Sequence, residues 1–351
     1  MPKYYTVKHI SNFTLKYKCN NHTYSKKVPG GFIDPTKLIY YPLVGENLQN
    51  FLSNKILPLL KDKTASQIYV LNITGKSGTG KTRLLCEIIN SAKSYNFQTL
   101  YCDAKKQTGF SILREYLCTC LGLPYATGNI SCTLDDFSKI IEQYYGNPKV
   151  SDAVFSFVFY EKIDPDILYY LKEALLFFSC NIVGGTPLIW TIDNLQCLDK
   201  ETLDIIYFLI EHLQESFPEV IFSLSTNTEI MPIEAQGFVN EFLTKINEYE
   251  DVVSFAYNCD EMKSNDAKTL YYHAIPNLQG FDYFTHLLIN KSGKRPFDII
   301  MLIQWFYDQN LINISTHNMV IPSAKKEIEN FIKQIPVKSK EIITRRFELQ
   351  K

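Results

Sequence analysis

The chain has 351 residues, 46% of them hydrophobic and 21% charged, an ordinary composition for a globular protein with enough apolar residues for a core. A formal net charge of −1 argues against nucleic acid or an anionic membrane as a partner, and no segment is both long and apolar enough to span a bilayer. The nine cysteines are scattered without a CxxC pair, which favours reduced thiols in the cytoplasm over disulfides or a zinc site.

The first 41 residues are polar and rich in tyrosine. The alternation of Phe13, Leu15 and Tyr17 predicts a short hairpin, because alternate side chains of a strand point to the same face. We interpret residues 1–41 as an N-terminal extension.

From about residue 42, short apolar segments alternate with amphipathic ones. Strands are predicted at 68–73, 98–102, 188–192, 220–224 and 252–256. Helices are predicted at 48–60, 81–94, 109–121, 133–145, 164–179 and 201–214. This alternation indicates an α/β domain over residues 42–257, with three α/β/α layers around a parallel five-stranded sheet.

Beyond residue 258 the predicted strands stop. Helices are predicted at about 260–274, 280–291 and 296–308. We therefore expect a smaller, all-helical, lid-like domain over residues 258–333, followed by a tail at 334–351.

The octet GKSGTGKT at 75–82 matches the pattern GxxxxGK(S/T) and lies between a predicted strand and a predicted helix. Glycines allow such a loop to curl until its N–H groups point at phosphate oxygens, and the next helix adds its positive end. Lys81 would reach the β- and γ-phosphates, and Thr82 would offer its hydroxyl to Mg²⁺. A turn without a ligand is the alternative, but the context favours a P-loop NTPase. The expected phosphate-binding residues are Gly75, Lys76, Ser77, Gly78, Thr79, Gly80, Lys81 and Thr82.

A second motif is the apolar strand segment PLIWTID, which ends in the acidic residue Asp193. A carboxylate at that end of a strand is typical of the group that holds magnesium in P-loop ATPases. A helix-capping aspartate in a loop is the alternative. We expect Thr82 and Asp193 to form the metal site, with Lys81 and Asp193 acting in catalysis.

The next residue is Asn194, where hydrolysing ATPases of this kind usually carry Glu or Asp to polarise the attacking water. An amide can orient water, but it cannot accept the proton at ordinary pH. The sequence therefore predicts slow hydrolysis of bound ATP.

The predicted strand at 220–224 leads into Ser225, Thr226 and Asn227. A polar side chain at this tip can contact the γ-phosphate or its water, and Asn227 is the candidate. The other interpretation is a strand-terminating turn, because Ser, Thr and Asn are common in turns.

With these motifs in order, the chain resembles AAA+-related ATPases of the STAND type, the signal-transduction ATPases with numerous domains. The similar modules are those of MalT-like and other large LuxR-type regulators and of class III adenylyl cyclase fusions. The resemblance rests on LVGENLQNFL, GKSGTGKTRLL, IDNLQCLDKETLDIIYFL, LSTN and NKSGKRPFDIIMLIQWF, which together span residues 43 to about 308. Departures from the family pattern stand at Glu46, Asn194 and Asn227.

The resemblance implies that Val44 and Gly45 lie near the adenine, that Arg83 belongs to the phosphate loop, and that Pro296 closes over the base from the helical domain. A proline at the start of a helix is the simpler interpretation of Pro296. The tail resembles the opening of the winged-helix domain that follows in this family, so the chain is expected to be a piece of a longer signalling protein.

These observations favour a regulatory switch that binds ATP or ADP with Mg²⁺, hydrolyses ATP slowly, and acts on other protein domains or subunits. The alternative is an actively hydrolysing AAA+ ATPase of the origin-recognition or loader kind acting on DNA, against which the neutral charge and Asn194 argue. A small-molecule kinase would need a lid carrying an arginine cluster, which the sequence does not show. A nucleotide-free scaffold is disfavoured by the intact Gly80, Lys81, Thr82 and Asp193.

Overall fold

The computed structural model describes residues 12–19, 22–29, 43–61, 68–120, 125–126, 129–130, 154, 157, 165–182, 187–213, 220–313, 316–322 and 324–335. The strands are β1 (Asn12–Cys19), β2 (His22–Pro29), β3 (Ile68–Gly75), β4 (Gln98–Asp103), β5 (Tyr125–Ala126), β6 (Asn129–Ile130), β7 (Leu188–Asp193), β8 (Val220–Asn227) and β9 (Val252–Cys259). The helices are α1 (Glu46–Phe51), α2 (Leu57–Lys61), α3 (Lys81–Ser94), α4 (Gly109–Cys120), α5 (Pro165–Ile182), α6 (Lys200–Leu213), α7 (Ile233–Glu248), α8 (Ser264–Ala274), α9 (Asp282–Ser292), α10 (Pro296–Asp308) and α11 (Lys325–Gln334).

The central sheet has five strands in the order β4-β7-β8-β3-β9, and every neighbouring pair is parallel. Parallel strands bring their carboxyl ends to one edge of a sheet, which is where such folds bind ligands. In this chain that edge carries Gly75, Asp103, Asp193, Asn227 and Cys259.

Apolar side chains project from both faces of this sheet, so both faces must be covered by other elements. On one face Leu71, Ile189 and Ile221 pack with the buried residues of α1, α2 and α3. On the other, Trp190 and Phe222 pack with the buried residues of α4, α5, α6 and α7. Every residue of β7 and β8 is buried, which explains why these strands are continuous apolar runs in the sequence.

The alternation along each strand also assigns the polar residues at the carboxyl edge to a face. In β4, β7 and β8 the even-numbered residues Cys102, Ile192 and Leu224 belong to the core on the α4 side. The odd-numbered neighbours therefore point toward α3, which follows the glycine loop. Asp103 and Asp193, which are paired in register, thus lie on the face toward which the glycine loop leads.

The C-terminal helices α8 to α11 have a hydrophobic core of their own. Fully buried Leu270, Tyr271, Phe284 and Phe306 belong to it. The hydroxyl of Tyr271 donates a hydrogen bond of 2.9 Å to Oγ of Ser292, so its one polar atom is satisfied within that core. These helices therefore form a separately packed helical unit.

The predicted fold class is confirmed: a parallel five-stranded sheet with helices on both faces, a P-loop NTPase-like α/β fold, followed by a helical part. The N-terminal hairpin is also present, as antiparallel β1 and β2. Strand β9 runs to Cys259, past the predicted end at 256, because its residues pair with β3 along the whole length of that strand. The predicted helix at 133–145 and the tail from residue 336 lie outside the described residues.

None of the helices in the described ranges is both long and apolar enough to cross a membrane. The domain boundaries at 41/42, 257/258 and 333/334 stay predictions.

Candidate nucleotide-binding site

The glycine loop between β3 and α3 has the backbone shape of an anion-binding nest. Gly75, Gly78 and Gly80 have φ angles of 148°, 77° and 105°, which residues with a Cβ rarely adopt. At Gly75 a Cβ would also collide with the carbonyl oxygen of Cys259, and at Gly78 it would lie 2.9 Å from Cβ of Phe297. The loop therefore keeps its shape only with glycine at these positions, and it leads directly into the N-terminus of α3.

The ammonium group of Lys81 lies buried along this loop. Its Nζ donates hydrogen bonds to the carbonyl oxygens of Gly75, at 2.9 Å, and Lys76, at 2.7 Å. Burial lowers the pKa of Lys81, and the nearby Asp193 partly opposes that shift. Its described partners are neutral carbonyls, so a phosphate oxygen would be the stronger acceptor for this cation.

The carboxylate of Asp193 is buried and held by three hydroxyl groups. Oδ2 accepts from Oγ1 of Thr82 at 2.7 Å and from the hydroxyl of Tyr101 at 3.0 Å, and Oδ1 accepts a short bond from Oγ of Ser225. Burial and the neighbouring Asp193 raise the pKa of Tyr101, so this phenol remains a donor at ordinary pH. The structure thus brings together Thr82 and Asp193, which the sequence proposed as the metal pair.

These oxygens fit a magnesium ion. Mg²⁺ is bound through oxygen ligands, usually one or two protein groups together with phosphate and water. The Thr82 hydroxyl and the Asp193 carboxylate are such ligands, and both stand beside the loop that carries Lys81. Within the described residues, no group of three or more His, Cys, Asp or Glu side chains forms another metal site.

Asn194 follows Asp193 in the left-handed backbone region, with φ 64° and ψ 47°, which asparagine tolerates better than most residues. Its Nδ2 donates a hydrogen bond of 2.9 Å to Oδ1 of Asp103, and its backbone N–H donates to Oγ of Ser225 at 3.1 Å. Gln196 Nε2 lies 3.4 Å from the Asn194 amide oxygen. The amide group is therefore engaged from both sides.

Asp103 was missed by the sequence reasoning. It ends β4, and its Oδ2 also forms an ion pair of 3.1 Å with Nζ of Lys106. In the sequence, Asp103 is marked only as an acidic residue directly after the strand predicted at 98–102. Its relevance became visible only through the pairing of β4 with β7, which places it beside Asp193.

Asn227, the residue proposed to sense phosphate, is buried and forms the turn that ends β8. Its Oδ1 accepts from the backbone N–H groups of Glu229, at 3.0 Å, and Ile230, at 3.3 Å. Its own N–H donates to Oε1 of Gln196 at 2.9 Å. The observed hydrogen bonds of Asn227 are therefore those of a turn. A contact between Asn227 and phosphate or water stays a prediction.

The first turn of α10, in the helical unit, lies directly on the glycine loop. The backbone N–H of Phe297 donates a hydrogen bond of 3.2 Å to the carbonyl oxygen of Gly78. A Cβ at Gly80 would lie 3.9 Å from Cγ of Pro296, so the proline ring is in contact range of the loop. The structure thus places Pro296 beside the expected phosphate site.

A second link between the loop and the helical unit runs through Glu229. Its Oε2 accepts a hydrogen bond of 3.2 Å from the backbone N–H of Ser77. The guanidinium of Arg295 donates to Oε1 at 3.2 Å and to Oε2 at 3.4 Å. The Ser77 N–H, and then Arg295, lower the pKa of Glu229. Sequence reasoning named neither Glu229 nor Arg295, because only the folded chain brings them to the loop.

The other proposed site residues lie around the loop. Thr79 Oγ1 donates to the carbonyl oxygen of Lys76 at 2.9 Å, and Arg83 pairs with Glu87 at 2.6 Å. Val44 packs against the helical core, and Gly45 caps the start of α1. Roles for Val44, Gly45 and Arg83 in nucleotide binding stay predictions.

No protein-family model and no curated protein matches the chain. Among solved structures it is similar to a RuvB variant of Thermotoga maritima, at 12% identity over 86% of this chain and 74% of that one, with a TM-score of 0.44. It is also similar to AMPPCP-bound DnaA from Aquifex aeolicus, at 13% identity over 76% of this chain and 63% of that one, with a TM-score of 0.37. Domain III of the replication initiation protein DnaA from Thermotoga maritima matches at 13% identity over 85% of this chain and 100% of that one, with a TM-score of 0.39.

Proposed function

We propose that this protein is an ATP- and ADP-binding, Mg²⁺-dependent regulatory ATPase module that works as a nucleotide-controlled switch and hydrolyses ATP slowly. The observation that carries the proposal is the hydrogen bond from the Phe297 N–H to the Gly78 carbonyl oxygen. It makes the phosphate-binding loop part of the contact between the sheet domain and the helical unit. A ligand that changes the loop therefore acts on the arrangement of the two units.

Nucleotide binding is supported by the loop, by Lys81 and by the pair formed by Thr82 and Asp193. The loop N–H groups and the N-terminus of α3 bind phosphate oxygens, and Lys81 adds a full positive charge. Thr82 and Asp193 would hold a magnesium ion, which would supply positive charge beside the phosphates. By resemblance, Val44, Gly45 and Pro296 are proposed to lie near the nucleotide base.

Slow hydrolysis is supported by the surroundings of Asn194. Its Nδ2 already donates to Asp103, and an amide cannot take a proton from water. General-base help is typically worth a factor of about 100 to 10,000 in rate. The nucleotide-bound state is therefore expected to persist long enough to be read by another protein.

The proposed family is that of the AAA+-related ATPases, and within it the STAND type, on the motifs quoted above. The proposed partners are other protein domains or subunits of a cytoplasmic signalling assembly. A DNA-acting loader is the alternative, and turnover that rises on addition of duplex DNA would identify it.

The central test compares nucleotide affinity in the wild type and in Lys81→Ala, with ATP, ADP and GTP measured by titration calorimetry. Removing the buried ammonium is expected to weaken ATP binding by about 10- to 100-fold, the range for hydrogen bonds to charged groups. Lys93→Ala is the matched control, because Lys93 is an exposed lysine in the last turn of the same helix. Unchanged affinity in Lys81→Ala would remove the proposal.

A further inference from the structure

The carboxylate of Glu229 lies where the phosphate loop offers a backbone N–H to an anion. Ser77 is the third residue of the loop, and its N–H donates to Oε2 of Glu229 at 3.2 Å. Loops of this kind collect N–H groups because they bind negatively charged oxygens. The negatively charged carboxylate of Glu229 therefore occupies a backbone N–H group that the loop would otherwise offer to a phosphate oxygen.

The chain holds Glu229 in this position by two means. Asn227 accepts the Glu229 backbone N–H at 3.0 Å, which fixes the start of the turn after β8. Arg295 binds both carboxylate oxygens in a two-pronged ion pair and also lies 3.6 Å from Glu261. Bidentate pairing of this type fixes the orientation of the carboxylate as well as its charge.

We propose that Glu229 makes this site discriminate between nucleoside triphosphate and diphosphate, and that Arg295 sets the strength of that discrimination. The inference rests on the proposed nucleotide binding and adds the residue pair that would make the site sensitive to the terminal phosphate.

Of the parts of a bound triphosphate, the terminal phosphate is the one expected to lie nearest to Glu229. The Lys81 Nζ, which in such loops reaches the β- and γ-phosphates, donates to the carbonyl oxygen of Lys76, the residue before Ser77. The triphosphate also carries one more negative charge than the diphosphate. Repulsion by the Glu229 carboxylate, and competition for the Ser77 N–H, therefore cost the triphosphate more.

Arg295 reduces that repulsion, because it neutralises Glu229 from the helical unit. It is adjacent to Pro296 and Phe297, the residues that contact the loop. A triphosphate that displaces the carboxylate from Ser77 must loosen or rearrange the Arg295 ion pair. Binding of the terminal phosphate would therefore also change the contacts at the first turn of α10.

The test measures dissociation constants for ADP and for the non-hydrolysable triphosphate AMP-PNP, with Mg²⁺, in four versions of this chain: wild type, Glu229→Gln, Arg295→Met and the double variant. Glu229→Gln keeps an acceptor for Ser77 but removes the charge, so AMP-PNP affinity is expected to rise about fivefold to tenfold and ADP affinity about twofold or less. Arg295→Met leaves the carboxylate unneutralised, so AMP-PNP affinity is expected to fall by a similar factor.

In the double variant the Arg295→Met effect should largely disappear, because the charge that arginine neutralises is gone. A retained full effect would show that Arg295 acts without Glu229 and would overturn the proposal. Equal changes for ADP and AMP-PNP in Glu229→Gln would overturn it as well. Because the two single variants are expected to shift affinity in opposite directions, a shared folding defect cannot produce this pattern.

Glu241→Gln is the matched control, since Glu241 forms an ion pair of 2.7 Å with Lys245 on α7 and is similarly exposed. It should leave both dissociation constants unchanged. Lys81→Ala, measured in parallel, separates the two proposals. Weak binding in Lys81→Ala with an unchanged ADP to AMP-PNP ratio in Glu229→Gln sinks only the discrimination by Glu229, whereas unchanged binding in Lys81→Ala sinks both.

Discussion

Single side chains at the carboxyl ends of β4 and β7 decide which carboxylates of this site are available for chemistry. Asp193 is held by the hydroxyls of Thr82, Tyr101 and Ser225. Asp103 accepts the amide of Asn194 instead of facing a second carboxylate. The amide at position 194 satisfies its acidic neighbour, and in the proposed function it stands where a general base would be needed for fast hydrolysis.

The Asn194–Asp103 pair leads to a prediction about restoring hydrolysis. Asn194→Asp alone would place two carboxylates at the 2.9 Å separation of the present hydrogen bond, which raises the pKa of one of them and removes a charged hydrogen bond. We expect a loss of about 1 to 3 kcal/mol of stability in urea unfolding, with ATP turnover close to that of the wild type.

The exchanged pair, Asn194→Asp with Asp103→Asn, restores one amide and one carboxylate but places the carboxylate after Asp193. Turnover in a steady-state phosphate-release assay is expected to rise at least about tenfold over the wild type. Asp103→Asn alone serves as the control and should stay slow. Fast turnover in the wild type would contradict the role given to Asn194.

The elements were predictable where periodicity and burial act together. Strands β7 and β8 are fully buried, so their apolar runs identify them without knowledge of the fold. The glycine loop was predictable because its spacing is imposed by phosphate chemistry. Glu229 and Arg295 were not, because they are 66 residues apart and no local pattern marks them as partners. Their meeting is a tertiary consequence of packing the helical unit on the loop.

The first turn of helix α6 is stabilised by the residue that precedes it, Asp199. Asp199 lies in the segment IDNLQCLDKETLDIIYFL quoted for the resemblance, and its Oδ1 accepts the Thr202 backbone N–H at 2.8 Å, immediately before the helix begins. This is the bond of an N-cap, which satisfies one of the free donors of the first turn. Leu203, Ile206 and Leu209 then pack this helix into the core.

Asp199→Ala is therefore expected to destabilise the protein by about 1 kcal/mol, without a direct effect on nucleotide affinity. Asp204→Ala is the matched control, because Asp204 is an exposed aspartate within the same helix, where substitutions change stability by about 0.5 kcal/mol or less. Urea unfolding followed by circular dichroism checks the difference. If both variants lost the same stability, the capping role of Asp199 would be refuted.

At the scale of the whole molecule, the sheet domain and the helical unit have separate hydrophobic cores. At the site they are joined by apolar contacts of Val44, Pro296 and Phe297 and by polar contacts at the glycine loop, made by Phe297, Arg295 and Glu229. Polar contacts of this size are worth little individually, so ligands that alter them can shift the arrangement of the units at modest cost.

Small-angle scattering of the full chain without nucleotide, with ADP and with AMP-PNP tests this arrangement. We expect the two nucleotides to give different profiles, because the triphosphate disturbs the Glu229–Arg295 link and the diphosphate disturbs it less. A switch needs such a difference, since a ligand that binds both arrangements equally shifts neither. Ligand at about 100 times its dissociation constant should also add about 2.7 kcal/mol of stability, which confirms occupancy in each sample. Lys81→Ala, measured at nucleotide concentrations well below its own weakened dissociation constants, should give one profile throughout. Identical profiles for ADP and AMP-PNP in a wild type shown to be saturated would mean that the loop binds nucleotide without passing its state to the helical unit.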